Sequence, residues 1–343
     1  MKNKIYINQD FFTQVDLTPY YTLQGQSKRG YNGKMPPQFE YRPQNFTEFI
    51  GQESAKTKAQ TIIKGAKMGY FLHFLIDGRQ GGGKTSLCQL VAKDLQADFI
   101  YTIGKQVDND EDIKEIVEKI NNSNKEFTIF MLDEVDGCDT KVLKQFNSII
   151  ESFQYKNEYI KPFLFCAATI NKDVLQDNNP DLLDRIHEHI RFSGYIQDDI
   201  KKILLLNANI LYKNFKFNDD VIAKISLNCK YNPRRALSLL KQFVIEQDID
   251  KVLQSADIIF EGLTKLDIKI LQTLNSAPRA MGVNALASAV GLKPKEYQSI
   301  YEPFLVEYGY INRIPSRVIG VKGREILSKI GGIKLWKKVK GFF

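Results

Sequence analysis

The sequence predicts an α/β protein of three parts: a parallel-sheet domain built around a phosphate-binding loop, a small helical lid domain, and a C-terminal winged helix-turn-helix. Three observations predict it. Short apolar runs alternate with helical patterns across residues 39–193. The pattern then turns wholly helical across 194–262. Residues 263–331 read as three helices followed by a basic hairpin, and 332–343 as a basic tail.

Residues 1–38 hold Gly25, Gly30, Gly33, Pro36 and Pro37 among many polar residues and show no periodicity, which reads as an N-terminal extension. In the first domain the apolar runs 73–77, 99–102, 127–133 and 163–169 read as buried strands. Helical spacing fills 85–95, 111–120 and 142–153 between them. In the lid, apolar residues recur at helical spacing over 198–211, 219–228 and 233–248. In the last domain, helices are expected over 265–274, 283–290 (stopped by Gly291) and 294–307. Tyr297, Ile300, Tyr301, Phe304 and Leu305 form the apolar side of the third. Residues 310–314 and 317–321 then flank Pro315-Ser316 as a tight hairpin with arginines near its tip.

The chain of 343 residues is 43% hydrophobic and 26% charged, the balance of a soluble globular protein of two or three domains. No apolar run approaches the roughly 18–20 residues that span a bilayer. The stretch from Met1 to Tyr6 lacks the apolar core of a secretory signal, so no membrane partner and a cytoplasmic location are expected. Cys88, Cys138, Cys166 and Cys229 are too scattered for a zinc or redox pair, and His73, His187 and His189 join no metal-ligating constellation. The net charge of +8 is unevenly placed. From residue 264 onward 14 basic residues face 5 acidic ones, while the rest of the chain is near neutral. A basic module on a neutral one points to nucleic acid.

The chemistry concentrates in a few motifs. Gly78-Arg79-Gln80-Gly81-Gly82-Gly83-Lys84-Thr85 follows a strand and opens a helix, the context in which such a loop cradles a triphosphate. Its glycines let backbone N–H groups face the phosphates, Lys84 reaches the outer phosphates, and the Thr85 hydroxyl is placed to ligate Mg²⁺. Some fifty residues on, four apolar residues lead into Asp133-Glu134. Asp133 suits the Mg²⁺ shell and Glu134 suits the polarisation of an attacking water. ATP and Mg²⁺ are therefore the expected cofactors. Thr169 and Asn171 end another buried run and are candidates to sit beside the γ-phosphate. Asn232-Pro233-Arg234-Arg235 puts cations at a helix N-terminus, where the helix dipole disfavours them, and so suggests a phosphate contact from the lid. Lys293 and Lys295 at the start of the third helix of the last domain, with Arg313 and Arg317 in the hairpin, are candidate DNA contacts. The tail Lys334-Leu335-Trp336-Lys337-Lys338-Val339-Lys340 reads either as a second DNA contact or as the end of a partner-binding helix.

These motifs together resemble the RuvB family of AAA+ ATPases, the Holliday-junction branch-migration motors. The entry stretch Tyr41-Arg42-Pro43-Gln44-Asn45-Phe46-Thr47-Glu48-Phe49-Ile50-Gly51-Gln52 is similar to one shared by RuvB and clamp-loader subunits. The stretch from Tyr301 to Pro315 is similar to the recognition helix and wing of RuvB, where clamp loaders carry a helical collar. The resemblance implies that Tyr41 and Arg42 border the adenine. It implies that Gly78, Gly81, Gly82, Gly83, Lys84, Thr85 and Ser86 hold phosphates and Mg²⁺. Asp133 and Glu134 match the Walker B pair, Thr169 and Asn171 the sensor-1 region, Arg185 the arginine finger, and Arg234 the sensor-2 arginine. Arg313 and Arg317 match wing arginines that touch DNA. It implies a homo-hexameric ring that pulls duplex DNA through a four-way junction in recombination and repair. A clamp-loader-like or initiator-like switch that loads a partner on DNA is the alternative, and a non-catalytic, nucleotide-gated DNA-binding regulator is a third. The chain departs from the family at Arg79 and Gln80, where two prolines are usual. It also departs at residues 152–161, a shortened form of the hairpin that docks RuvA, so a RuvA partnership is not carried over.

Overall fold

In the computed structural model the described residues run from 41 to 339, apart from Asn171, Asn214, Ile314 and Pro315, with backbone alone from 332 onward. The N-terminal extension and the candidate Asn171 therefore lie outside the described residues. The chain forms two compact units: residues 54–77 and 84–191 with the preceding strand of chain to Phe46, and residues 47–53, 78–83 and everything from Phe192.

The first unit carries α1 (Glu53–Lys67), β1 (Phe74–Asp77), α2 (Lys84–Asp94), β2 (Asp98–Ile103), α3 (Asp110–Asn121), β3 (Thr128–Asp133) and α4 (Thr140–Ser152). The ribbon β4 (Gln154–Tyr155) and β5 (Glu158–Tyr159), then β6 (Leu164–Thr169), α5 (Lys172–Asn178), α6 (Pro180–Asp184) and β7 (Glu188–Arg191) complete it. Five strands pair in parallel in the order β2-β3-β6-β1-β7. β6 is buried throughout, and β3 everywhere but Asp133, which is why both read as unbroken apolar runs. The edge strand β7 was not among the expected strands, because Ile190 is its one buried residue. The aromatic centre of the core is Phe130, Phe146 and Phe165, with ring centroids 5.4 to 6.4 Å apart. The register places Asp77 opposite Thr169 and Ile103 opposite Asp133. The polar residues that end these strands thus line one carboxyl edge, where open parallel sheets gather ligands.

The second unit has two cores. α7 (Gln197–Leu211), α8 (Asp219–Asn228), α9 (Pro233–Glu246) and α10 (Ile249–Ser255) pack around Ile200, Leu204, Ile225, Leu240 and Val252. A ribbon of β8 (Ile258–Phe260) and β9 (Leu263–Thr264) leads into α11 (Lys265–Ser276), α12 (Val283–Val290), α13 (Pro294–Glu296) and α14 (Glu302–Glu307). The hairpin β10 (Ile311–Asn312) and β11 (Val318–Ile319) and then α15 (Val321–Val339) follow. Leu271, Leu286, Tyr297, Phe304, Leu305 and Tyr310 make this second core, and Tyr231 packs against both. The buried pair Lys230–Asp267, 2.5 Å, ties the helical part to α11, where Asp267 also completes a capping box with Thr264.

Two details differ from expectation. The third helix of the winged domain is continuous over 294–307, but Tyr297–Tyr301 form a π turn. Pro303 has no N–H for the carbonyl four residues back, and the Glu302 N–H bonds to the Tyr297 carbonyl instead. The extra residue in the turn shifts the helical phase, so Ile300, expected on the buried side, is 61% exposed. The backbone of α15 also runs through Val339, so residues 332–339 of the stretch read as a basic tail continue a helix.

Candidate nucleotide site and winged helix

The phosphate loop is shared out along the chain: Gly78–Gly83 pack within the second unit, and Lys84 and Thr85 begin α2 in the first. In the first unit the Thr85 hydroxyl donates to Asp133 Oδ2 at 3.3 Å. The Tyr101 hydroxyl donates to the same oxygen at 3.3 Å. Burial, and then the Asp133 charge, push the Tyr101 phenol up to about 12, so it stays a donor at neutral pH. Asp133 Oδ1 accepts from the Glu134 N–H at 2.9 Å. Glu134 has φ +50°, a left-handed conformation that ends β3 and starts a 3₁₀ turn. Two hard oxygen donors from consecutive motifs, side by side, fit Mg²⁺, which takes one or two protein ligands beside substrate phosphates.

Lys84 is buried at the first turn of α2. The Asp77 carboxyl, at the end of β1, is raised by burial against the pull of Arg191, Lys84 and Lys172. Thr169 is fully buried, and its hydroxyl donates to Asp136 Oδ1 at 2.7 Å. Arg42 donates to Gln89 on α2 at 3.1 Å, while Tyr41 and Ser86 are partly buried. Arg185 caps α6 and is held by Glu151 at 2.8 and 2.9 Å and by the Asp181 carbonyl at 2.7 Å. In the single chain the finger candidate therefore rests on its own subunit.

The second unit holds Gly78–Gly83 together with the residues packed against them. Gly81 has φ +75°, and a Cβ there would lie 2.7 Å from Asn232 Oδ1 and 2.8 Å from the Arg234 Cβ. Only glycine permits this approach, so the sensor-2 candidate Arg234 lies directly against the loop. Asn232 caps α9 by accepting from the Arg235 N–H at 3.1 Å, and its amide donates to the Gln80 carbonyl at 2.7 Å. The Tyr195 hydroxyl donates to the Gly82 carbonyl at 2.9 Å. Gln52 clamps the Ser193 backbone, donating to its carbonyl at 2.7 Å and accepting from its N–H at 3.0 Å. Sequence reasoning misses Asn232 and Tyr195 as loop supports and Gln52 as the clamp on Ser193. Asn232 was signalled by its place before Pro233, and Gln52 by the entry motif; Tyr195 carries no local signal.

In the winged domain Lys293, Lys295 and Arg313 are exposed. Arg317 is not placed as a surface contact. Its guanidinium is buried and bidentate on Glu302, at 2.5 and 3.2 Å, and its backbone pairs with Met281. The fork geometry holds the wing to the third helix. A basic residue beside a turn reads as solvent-facing in sequence, and its carboxylate partner stands on another element.

Residues 41–157 match the family model of the Holliday junction DNA helicase RuvB P-loop domain, and residues 260–328 that of the RuvB C-terminal winged helix domain. Together they take in more than half of the chain. The chain belongs to the RuvB family. It is 28% identical over 301 residues to the Holliday junction branch migration complex subunit RuvB of Thermotoga petrophila, covering 80% of this chain and 87% of that protein. The Ureaplasma parvum RuvB subunit is 25% identical over 310 residues, covering 85% and 98%. The structure of the Thermotoga maritima RuvB Holliday junction branch migration motor superposes with a TM-score of 0.73 at 28% identity, over 85% of this chain and 99% of that one. The Aeropyrum pernix ORC2 protein in its ADP form shares the fold alone, with a TM-score of 0.51 at 15% identity. RuvB membership makes the chain a P-loop ATPase with a winged helix, and among the described residues no helix is long and apolar enough to cross a membrane.

Proposed function

We propose that the chain is an ATP-driven DNA motor of the RuvB type, which hydrolyses ATP between the subunits of a homo-hexameric ring and translocates duplex DNA to migrate four-way junctions. The observation that carries this reading is the coexistence in one RuvB-family chain of the Thr85–Asp133–Glu134 cluster and an exposed basic winged helix. Thr85 and Asp133 are the residues that would hold Mg²⁺. When bound, the metal ion orients the phosphate oxygens and offsets their charge.

The chain's own residues account for the rest. Lys84 places an ammonium at the outer phosphates, and the backbone from Gly81 to Gly83 cradles them. Water attacks the γ-phosphorus, the Glu134 carboxylate takes its proton, and the bond to the β–γ bridging oxygen breaks to release ADP. Arg234 reports the phosphate state to the lid, while Arg185 leaves Glu151 to reach a neighbour's site. Lys293, Lys295 and Arg313 contact DNA phosphates.

Glu134→Gln is expected to bind ATP with near-normal affinity and to turn over about 100-fold more slowly, since the amide cannot accept the proton. Single-turnover and equilibrium nucleotide binding measured on one preparation check this. ATPase rates with junction, duplex and single-stranded DNA, alongside branch migration of a synthetic four-way junction with and without a RuvA protein, test the reading as a whole. A rate indifferent to every DNA in an assembled ring overturns it. DNA stimulation without migration under either condition favours the loader-like alternative.

A further inference from the structure

The phosphate loop carries an arginine at position 79, and the second unit shows what that arginine does. Its Nη1 lies 3.2 Å from Glu307 Oε2. It also donates to the Lys230 carbonyl at 3.5 Å. The guanidinium carbon sits 5.3 Å from the Phe304 ring centroid and 5.8 Å from that of Tyr308. Phe304, Glu307 and Tyr308 belong to the C-terminal end of the third helix of the winged domain. The pair is only 25% and 34% exposed, and the flat guanidinium gains from the aromatic faces beside it.

A second thread reaches the loop from the same place. The Tyr308 hydroxyl donates to the Tyr195 carbonyl at 3.2 Å, and the Tyr195 hydroxyl donates to the Gly82 carbonyl at 2.9 Å. Between the two threads lies Gly194, where a Cβ would stand 2.6 Å from Glu307 Oε1 and 2.8 Å from the Tyr308 hydroxyl. The helix end is thus seated closely on the chain leading to the lid. The other end of the same helical run carries the exposed Lys293 and Lys295, with the π turn between.

We infer that Arg79, Glu307 and Tyr308 form a coupling latch, through which nucleotide on the phosphate loop and DNA on the winged helix each alter the affinity for the other. A proline at position 79 would have neither the cation nor the donor, so the link depends on the Arg79 side chain itself. Loop and helix end share these contacts, so a ligand that shifts either one changes the free energy of holding the other, and the effect is reciprocal. The inference rests on the reading of the chain as a nucleotide-dependent DNA-binding protein.

The test is a thermodynamic cycle on the full chain, with a fluorescent non-hydrolysable ATP analogue and a blunt duplex. Wild type is expected to change its affinity for the analogue by at least about fivefold when DNA is bound. Glu307→Gln keeps the shape and removes the charge, and Tyr308→Phe keeps the ring and removes the second thread. Each is expected to lower that factor, and the two together to bring it close to one, with affinity for the analogue alone changed less than about threefold. Arg79→Glu with Glu307→Arg is expected to recover part of the coupling that either single reversal loses. An unchanged factor in both Glu307→Gln and Tyr308→Phe overturns the latch, as does a wild-type factor of one. Absence of DNA binding or of ATP turnover in wild type overturns the functional reading and the latch with it. Normal binding and turnover with unaltered coupling in the variants overturns the latch alone.

Discussion

A chain carrying Arg185→Ala is expected to bind ATP and DNA and yet to lose turnover by about a thousandfold, the scale on which an arginine finger acts. In the single chain the guanidinium is committed to Glu151 and to the Asp181 carbonyl, so it lies on the subunit's own surface. An arginine that serves its own site has no reason to be stored this way. One that serves a neighbour needs a resting partner that releases it readily, and Glu151, 61% exposed, is a weak one. Loss of this partly exposed pair changes stability little, so a folded but inactive protein is the expected product. The trans assignment is checked by mixing. Lys84→Ala subunits have an idle loop but an intact Arg185, and Arg185→Ala subunits have the reverse. In the proposed ring the mixture is expected to recover activity that neither preparation has alone. Full activity in Arg185→Ala by itself removes the residue from the mechanism.

The parts of the fold that could be read in sequence are those where one physical demand dictates residue type. β3 and β6 are buried on both faces and so can carry little but apolar residues. The loop needs glycine where backbone meets phosphate, and the carboxylates of Asp133 and Glu134 are recognisable because they interrupt an apolar strand. What escaped reading depends on pairings between distant elements. Tyr195 supports Gly82 from 113 residues away, and neither position announces the other. Arg317 looked like a free wing arginine because the sequence does not show that Glu302 is buried beside it. Ile300 was placed on the wrong side because helical spacing assumes a constant turn, and Pro303 forces a wider one. Arg79 was seen as a departure, but its significance required Glu307 and Phe304 to be beside it.

Acidification is expected to destabilise the first unit through His73. The residue is 3% exposed and lies just before β1, its ring against Phe153, Phe163 and Phe165. Its Nδ1 accepts from the Phe165 backbone N–H at 3.2 Å. A backbone N–H only donates, so Nδ1 must carry the lone pair, and Nε2–H donates to the Ile150 carbonyl at 2.9 Å. The fold thus fixes one neutral tautomer. Burial lowers the His73 pKa from 6.5 to about 4, the hydrogen bond to Ile150 opposing and His187 adding to the effect. Because the folded value lies below the unfolded one, the unfolded chain binds the extra proton between them. Stability from this group is therefore complete above pH 6.5 and is lost as pH falls toward 4, by about 3 kcal/mol in all. The raised Asp77 carboxyl works in the opposite sense, so the effect is read as a difference between proteins. Denaturant unfolding of wild type and His73→Gln at pH 7 and pH 4.5 isolates it. The variant starts less stable at pH 7 but is expected to lose much less on acidification, since glutamine has no proton to take up. Parallel losses in the two proteins would show that the imidazole is not the acid-sensitive group.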